Sequence, residues 1–127
     1  MNEPGESCSD VLSKLLPGGR GVWIPMDHGL SGYPEQGLDQ MDLVIDFAIK
    51  GRADAIVLQK GVLTHQYKRT SWDRFVCHLS ASTVHGGPRS QSKVTVGDVE
   101  EVISRGAVAV SAQVNLGDDS ESEMLYD

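Results

Sequence analysis

Asp27 is the sharpest chemical candidate in the chain. It follows the short apolar run Val22 to Met26, and a carboxylate at a strand end can shuttle a proton during carbinolamine formation or hold a substrate hydroxyl. The plainer alternative is a loop carboxylate that accepts backbone N–H groups after Met26. His28 next to it is either a general acid or base or a turn residue bonded to backbone, while Gly29 and Gly32 either let the backbone approach a ligand or simply make the turn. Lys60 closes a second apolar run and could form a Schiff base if desolvated, but an ion pair or a source of positive potential is the favoured reading. Ser80 and Ser82 follow a third run, and Asn115 a fourth.

Other chemistries find less support. His65, His78 and His85 share no ligand spacing such as HxxxH and have no accompanying carboxylate cluster, so a zinc site is not expected. Gly86-Gly87-Pro88 is too short for a GxGxxG fingerprint, and no GxxxxGK[ST] occurs, so nucleotide binding through either motif is rejected. Cys8 and Cys77 form no CxxC pair, and Cys77 reads as a small core residue. Trp23, Phe47 and Phe75 are expected in the core rather than as ligand platforms.

The elements that must position these residues alternate. Ser9 or Asp10 is expected to cap a short helix carrying Val11, Leu12, Leu15 and Leu16, a lid or N-terminal plug stopped by Pro17-Gly18-Gly19. Val22 to Met26 reads as a strand buried on both faces. Leu38, Met41, Val44, Ile45, Ala48 and Ile49 recur at three and four, one helix face, and Gly51 stops it. Strands over Ala53 to Leu58, Phe75 to Leu79 and Ala107 to Val114 follow. Between them lie a short irregular helix within 62–74, a Gly- and Ser-rich loop from Val84 to Lys93, and a helix carrying Val99, Val102 and Ile103. A weak repeat sets Gly51 to Val57 against Arg105 to Ser111, each a helix stop before a strand of small then β-branched residues.

Strand–helix alternation implies a parallel sheet with chemistry gathered at the carboxyl ends of its strands. Strand starts about 28 residues apart would need about 250 residues for eight units, so the expected fold is α/β, the N-terminal half (about four βα units) of a (βα)8 TIM barrel. The expected division is an N-terminal segment with a short helix at 1–19 and a partial barrel at 20–127. Near the end, Asp118, Asp119 or Ser120 is expected to cap a last helix, with Glu123 completing a capping box from Ser120, and truncation within that helix is expected.

Composition narrows the partners. The 127 residues carry a formal charge of -7, with five acids and no base over 118–127, which leaves no basic face for nucleic acid. The apolar runs fall far short of the roughly 20 residues that span a bilayer, and the first residues have neither the basic start nor the apolar stretch of a secretion signal. No membrane partner is expected, and the expected compartment is the cytoplasm.

Ile24-Pro25-Met26-Asp27-His28-Gly29-Leu30-Ser31, then Pro34 and Gly37-Leu38, Gln59-Lys60-Gly61, Cys77 to Thr83 and Val114-Asn115-Leu116-Gly117 stand in order at these strand ends. Together they resemble the archaeal-type class I aldolases, the DeoC/fructose-bisphosphate aldolase-like family, over about residues 20 to 127. The PMDHG and HLSAST segments favour the branch that passes a fragment of a ketose phosphate, 6-deoxy-5-ketofructose 1-phosphate, to L-aspartate semialdehyde on a route to 3-dehydroquinate and aromatic amino acids. Fructose-bisphosphate aldolase is the alternative within the family, and a non-catalytic half-barrel that binds a sugar phosphate is the alternative outside enzymes.

The resemblance implies Schiff-base chemistry without metal or cofactor. It makes Asp27 the first-strand acid and the stretch Asp27, His28, Gly29, Leu30 and Ser31 the contact with the phosphorylated ketose. It assigns the Schiff-base lysine to a sixth strand and a proton-donating tyrosine to a fifth, so the nucleophile's role is not transferred to Lys60. Two positions depart from the family's pattern: Arg52 follows Gly51 where paired glycines are favoured, and Val108 stands where an acid is common. Four strands alone would leave two parallel edges open, an expected route to homo-oligomers.

Overall fold

The structure, a computed structural model, describes residues 6–29 and 35–127. Ser7 opens helix α1 (Cys8–Leu15) with a reciprocal capping box: its Oγ accepts from Asp10 N (3.3 Å), and Asp10 Oδ2 accepts from Ser7 N (3.0 Å). The cap is therefore Ser7 rather than the expected Ser9 or Asp10, because Asp10 occupies the third helical position and closes the box. A 3-10 turn over Pro17–Gly19 ends the segment.

Strand β1 (Trp23–Pro25) is followed by α2 (Met41–Lys50), β2 (Ala55–Gln59), α3 (Lys60–Thr70) and β3 (Phe75–His78). Then come a two-residue hairpin pair, β4 (Ser80–Ala81) and β5 (Val94–Thr95), helix α4 (Val99–Ser104), strand β6 (Ala109–Ser111) and helix α5 (Glu121–Tyr126). Strands β1, β2, β3 and β6 form one parallel sheet in that order, and β4 pairs antiparallel with β5 in a second.

Each face of the parallel sheet has its own core. Ile56, Leu58, Phe75 and Cys77 meet Ile45 and Ala48 of α2, Leu63 of α3 and Val102 of α4. Each large side chain fully buried there contributes roughly 1.5–3 kcal/mol. On the opposite face Leu15 of α1 packs on Ala55, Val76 and Val108 near the strands' N-terminal ends. Of the two roles expected for α1, this is the plug. The Trp23 indole N–H donates to Leu15 O (2.9 Å), fastening it to β1.

Several expectations need correction. β1 is not buried on both faces: Trp23 is 40% exposed and Pro25 is exposed, on an edge strand with a neighbour on one side. Phe47 points away from the core on α2 and is 62% exposed, whereas Phe75 is buried. The irregular helix expected in 62–74 is a regular eleven-residue α3 starting at Lys60. Its inner face includes buried Gln66, whose amide donates to Asp42 Oδ1 and accepts from Arg69 Nε (2.9 Å), so a polar residue takes a core position. The fourth parallel strand is three residues long, shorter than the expected Ala107 to Val114. Ser120 precedes α5 without a side-chain cap bond; instead Asp118 Oδ1 accepts from Ser120 N (2.9 Å) and Glu121 Oε2 from Gly117 N (2.7 Å). Among the described residues, no helix is long and apolar enough to cross a membrane.

Candidate active site

Parallel register decides which side chains share a face, because paired residues on neighbouring strands point the same way. Pro25, Val57, Val76 and Ala109 fall in one row across the four strands. Two residues toward the carboxyl ends, Gln59, His78 and Ser111 fall in the next, and Asp27 extends that row beyond Pro25. The ladder continues far enough to hold it, since Met26 N donates to Val57 O (2.9 Å). An apolar layer thus lies beneath a polar one on the face away from α2, α3 and α4.

Within the polar row, His78 Nδ1 lies 2.8 Å from Ser111 Oγ, a hydrogen bond, and its Nε2 lies 3.8 Å from Asp27 Oδ2, an ion-pair distance. The His78 side chain is 11% exposed and that of Asp27 19%, so both are largely withdrawn from solvent. Gln59 Nε2 reaches toward Ser80 O at 3.5 Å. Beside Asp27 opens a cleft of about 370 Å³, lined by Met26, Asp27, Leu38, Asp39, Met41 and Gln59 among others.

The remaining candidates take different places. His28 and Gly29 sit exposed in a turn just beyond Asp27. Leu30 and Ser31, with Gly32 and Pro34, lie outside the described residues. Ser80 is buried and accepts from Gln113 N (2.9 Å), holding the chain after β6. Asn115 accepts from Gln113 Nε2 (2.8 Å) and donates to Gln91 O (2.6 Å), anchoring the loop before β5.

Lys60 begins α3, and its Nζ lies 3.1 Å from Glu101 Oε2 of α4, where Arg105 Nη2 joins at 2.9 Å from Oε1. The hydrogen bond from Lys60, then that from Arg105, holds the Glu101 carboxyl below its usual range. This is the ion pair favoured for Lys60 from sequence. Cys77 faces the helices, and burial pushes its thiol up to about 11, which keeps it an unreactive packing residue.

Sequence reasoning gave neither His78 nor Ser111 a role. Spacing along the chain does not reveal the pair, because Ser111 lies 33 residues from His78 and the two meet through the β3–β6 register.

Comparison with known proteins gives the arrangement its relatives. A synthase from Archaeoglobus fulgidus named 2-amino-3,7-dideoxy-D-threo-hept-6-ulosonate synthase 1 is 36% identical over 115 residues, 90% of this chain and 43% of that protein. A Streptomyces griseus protein named 2-amino-4,5-dihydroxy-6-oxo-7-(phosphonooxy)heptanoate synthase is 38% identical over 82% of this chain and 38% of its own length. An archaeal fructose-1,6-bisphosphate aldolase, solved with its catalytic lysine bound to the carbinolamine intermediate, superposes with a TM-score of 0.78 at 19% identity, covering 94% of this chain and 49% of that one. The chain therefore spans under half the length of these relatives, and its parallel sheet with alternating helices corresponds to half of such a barrel. The sequence profile described as DeoC/LacD family aldolase matches residues 22–127, the whole span from the start of β1 through the polar row, and the chain belongs to that family.

Proposed function

We propose that this chain supplies the first-strand acid and ketose-binding side of a Schiff-base aldolase or transaldolase site. The carrying observation is the polar row at the carboxyl ends of four parallel strands, with Asp27 at its end. Asp27 exchanges protons with the hydroxyl of a carbinolamine or holds a substrate hydroxyl, and the stretch Asp27 to Ser31 contacts the phosphorylated ketose. In this reading 1–19 is an N-terminal segment and 20–127 the partial barrel, the reaction is cytoplasmic, and the open edges of β1 and β6 are where a further copy associates.

The names of the relatives support the finer substrate assignment. Both describe a seven-carbon acid with nitrogen at C2 and a ketone at C6, and the Streptomyces name places hydroxyls at C4 and C5. Such a β-hydroxy ketone disconnects between C4 and C5 into aspartate semialdehyde and a three-carbon ketone. We infer the same pair for this chain's reaction. The enamine of a fragment released from 6-deoxy-5-ketofructose 1-phosphate attacks the aldehyde carbon of L-aspartate semialdehyde, the aldehyde oxygen takes a proton, and water releases the imine. Identities of 36% and 38% with the synthases favour this over fructose-bisphosphate cleavage, where the aldolase likeness stands at 19%.

Calorimetric titration with dihydroxyacetone phosphate tests the reading. Asp27→Asn should weaken binding about tenfold, the effect of losing one charge-assisted hydrogen bond. Equal affinity in wild type and variant would refute Asp27 as the ketose-holding acid. Borohydride added with the same ketose should leave Lys60 unmodified, since its ammonium is engaged by Glu101. A reduced adduct on Lys60 would move the nucleophile into this chain. Asp27-independent binding without an adduct would instead favour the plain sugar-phosphate-binding half-barrel.

A further inference from the structure

We propose that His78 is a positioning residue for Asp27, acting as a tautomer relay whose far end is set by Ser111. The inference rests on the reading of Asp27 as the site's acid, but its geometry is independent of the substrate.

An imidazole this buried must satisfy two nitrogens. Nδ1 has Ser111 Oγ at 2.8 Å, and Nε2 faces Asp27 Oδ2 at 3.8 Å. Two neutral side chains neighbour the ring in the sheet: Gln59 beside it in the row turns its amide toward Ser80 O, and Ser80 Oγ accepts from Gln113 N. Among the described residues, Asp27 thus supplies the carboxylate at ion-pair distance from the ring.

A hydroxyl serves either tautomer, because it donates or accepts by rotating. With Asp27 ionised, Ser111 donates to Nδ1 and the proton sits on Nε2, aimed at the carboxylate. The opposite tautomer would point a lone pair at a negative charge. When Asp27 takes up a proton from the substrate, its O–H can face a bare Nε2: the ring gives its Nε2 proton to water and gains one from water at Nδ1, its own proton count unchanged, and Ser111 turns to accept. Each Asp27 protonation state has a matching ring tautomer, and no group need leave its place. Catalytic contacts that are long in the free enzyme shorten in complexes, which suits the 3.8 Å separation. His78 touches no reacting atom in this scheme; it orients the acid and follows its proton.

Nitrogen-15 NMR of the His78 ring at neutral pH reads the relay directly. The Nε2–H tautomer should exceed the other by about tenfold in wild type, as expected for an N–H dipole rather than a lone pair facing a carboxylate 3.8 Å away. That excess should collapse in Asp27→Asn, whose amide can donate or accept. An unchanged ratio in Asp27→Asn would overturn the proposal. Two further variants separate positioning from packing. Glutamine places its amide near Nε2 and asparagine near Nδ1, so His78→Gln should keep dihydroxyacetone phosphate affinity within about threefold, while His78→Asn should lose about tenfold. Equal losses in both would assign His78 to packing. If wild type shows the tautomer excess but binds no dihydroxyacetone phosphate, the relay stands and the ketose reading falls; if it binds the ketose through Asp27 with no tautomer excess, the ketose reading stands and the relay falls.

Discussion

Two helix-to-strand turns in this chain share one backbone and differ in the residue that bears the strain. After α2, Arg52 N donates to Ile49 O (3.0 Å) and Ala53 N to Ala48 O (3.0 Å); after α4, Gly106 N donates to Ile103 O (3.0 Å) and Ala107 N to Val102 O (3.0 Å). Both are Schellman stops, which require a left-handed residue just past the helix cap. In the second turn that residue is Gly106 at φ +108, and in the first it is Arg52 at φ 61. The weak repeat seen in sequence is thus a repeated stop. Its second copy follows the rule that glycine takes the left-handed place, and its first copy breaks it.

The difference traces to what lies outside each turn. A Cβ at Gly106 would come within 2.2 Å of Tyr67 Cγ, so the α3 ring occupies the space a side chain needs. Arg52 is exposed and its side chain finds room. Gly106→Ala should therefore combine left-handed strain with overpacking against the ring, for a loss of about 3 kcal/mol in urea unfolding. A loss below about 1 kcal/mol, within the range of ordinary surface changes, would mean that Tyr67 moves aside freely and the two turns are equivalent after all.

Two residues further on, the copies part again. Asp54 Oδ2 accepts from Val22 N (2.8 Å), while Val22 O accepts from Asp54 N (2.8 Å), so one residue clips the edge strand β1 in both directions. Its counterpart Val108 instead packs on Leu15 beneath the sheet. An acid at Val108 would have to be accommodated in this apolar cluster. Asp54→Ala should cost about 1–1.5 kcal/mol and raise amide exchange at Val22 before that of β2, because the bond from Val22 N is lost together with a long, partly exposed ion pair to Arg74 (3.6 Å) that adds little. Asp54→Asn, which keeps an acceptor, should recover most of it. If both variants exchange alike, the clip is the backbone alone and Asp54 is no different in kind from Val108.

How much of this was legible depends on whether a pattern was local. The α2 face, the buried runs of β2 and β3, and the placing of Asp27 at a strand end all follow from spacing within a few residues. The regularity of α3 was hidden because Gln66 occupies an inward position and draws its partners, Asp42 and Arg69, from two helices. The β4–β5 pairing was hidden because its strands are two residues long. At the site the acid was visible, but its contact with His78 was not, since adjacency across a parallel sheet is set by register that no single segment encodes. Sequence did flag Arg52 as a departure from paired glycines, and the positive φ at that residue gives the departure its physical content.

That residue allows the finest cut between the two turns. A left-handed conformation costs an L-residue roughly 1–2 kcal/mol. Glycine returns that cost but loses about 0.5–1 kcal/mol more backbone freedom on folding, so Arg52→Gly should stabilise the chain by about 0.5–1 kcal/mol. The gain should appear as a higher urea midpoint with an unchanged slope, because no buried surface is involved. Arg52→Ala separates conformational relief from loss of the guanidinium: alanine keeps the Cβ that makes this backbone costly, so its midpoint should stay near wild type. If alanine stabilised as much as glycine, the arginine side chain would be the source of the penalty. The two stops would then differ in charge rather than in backbone strain.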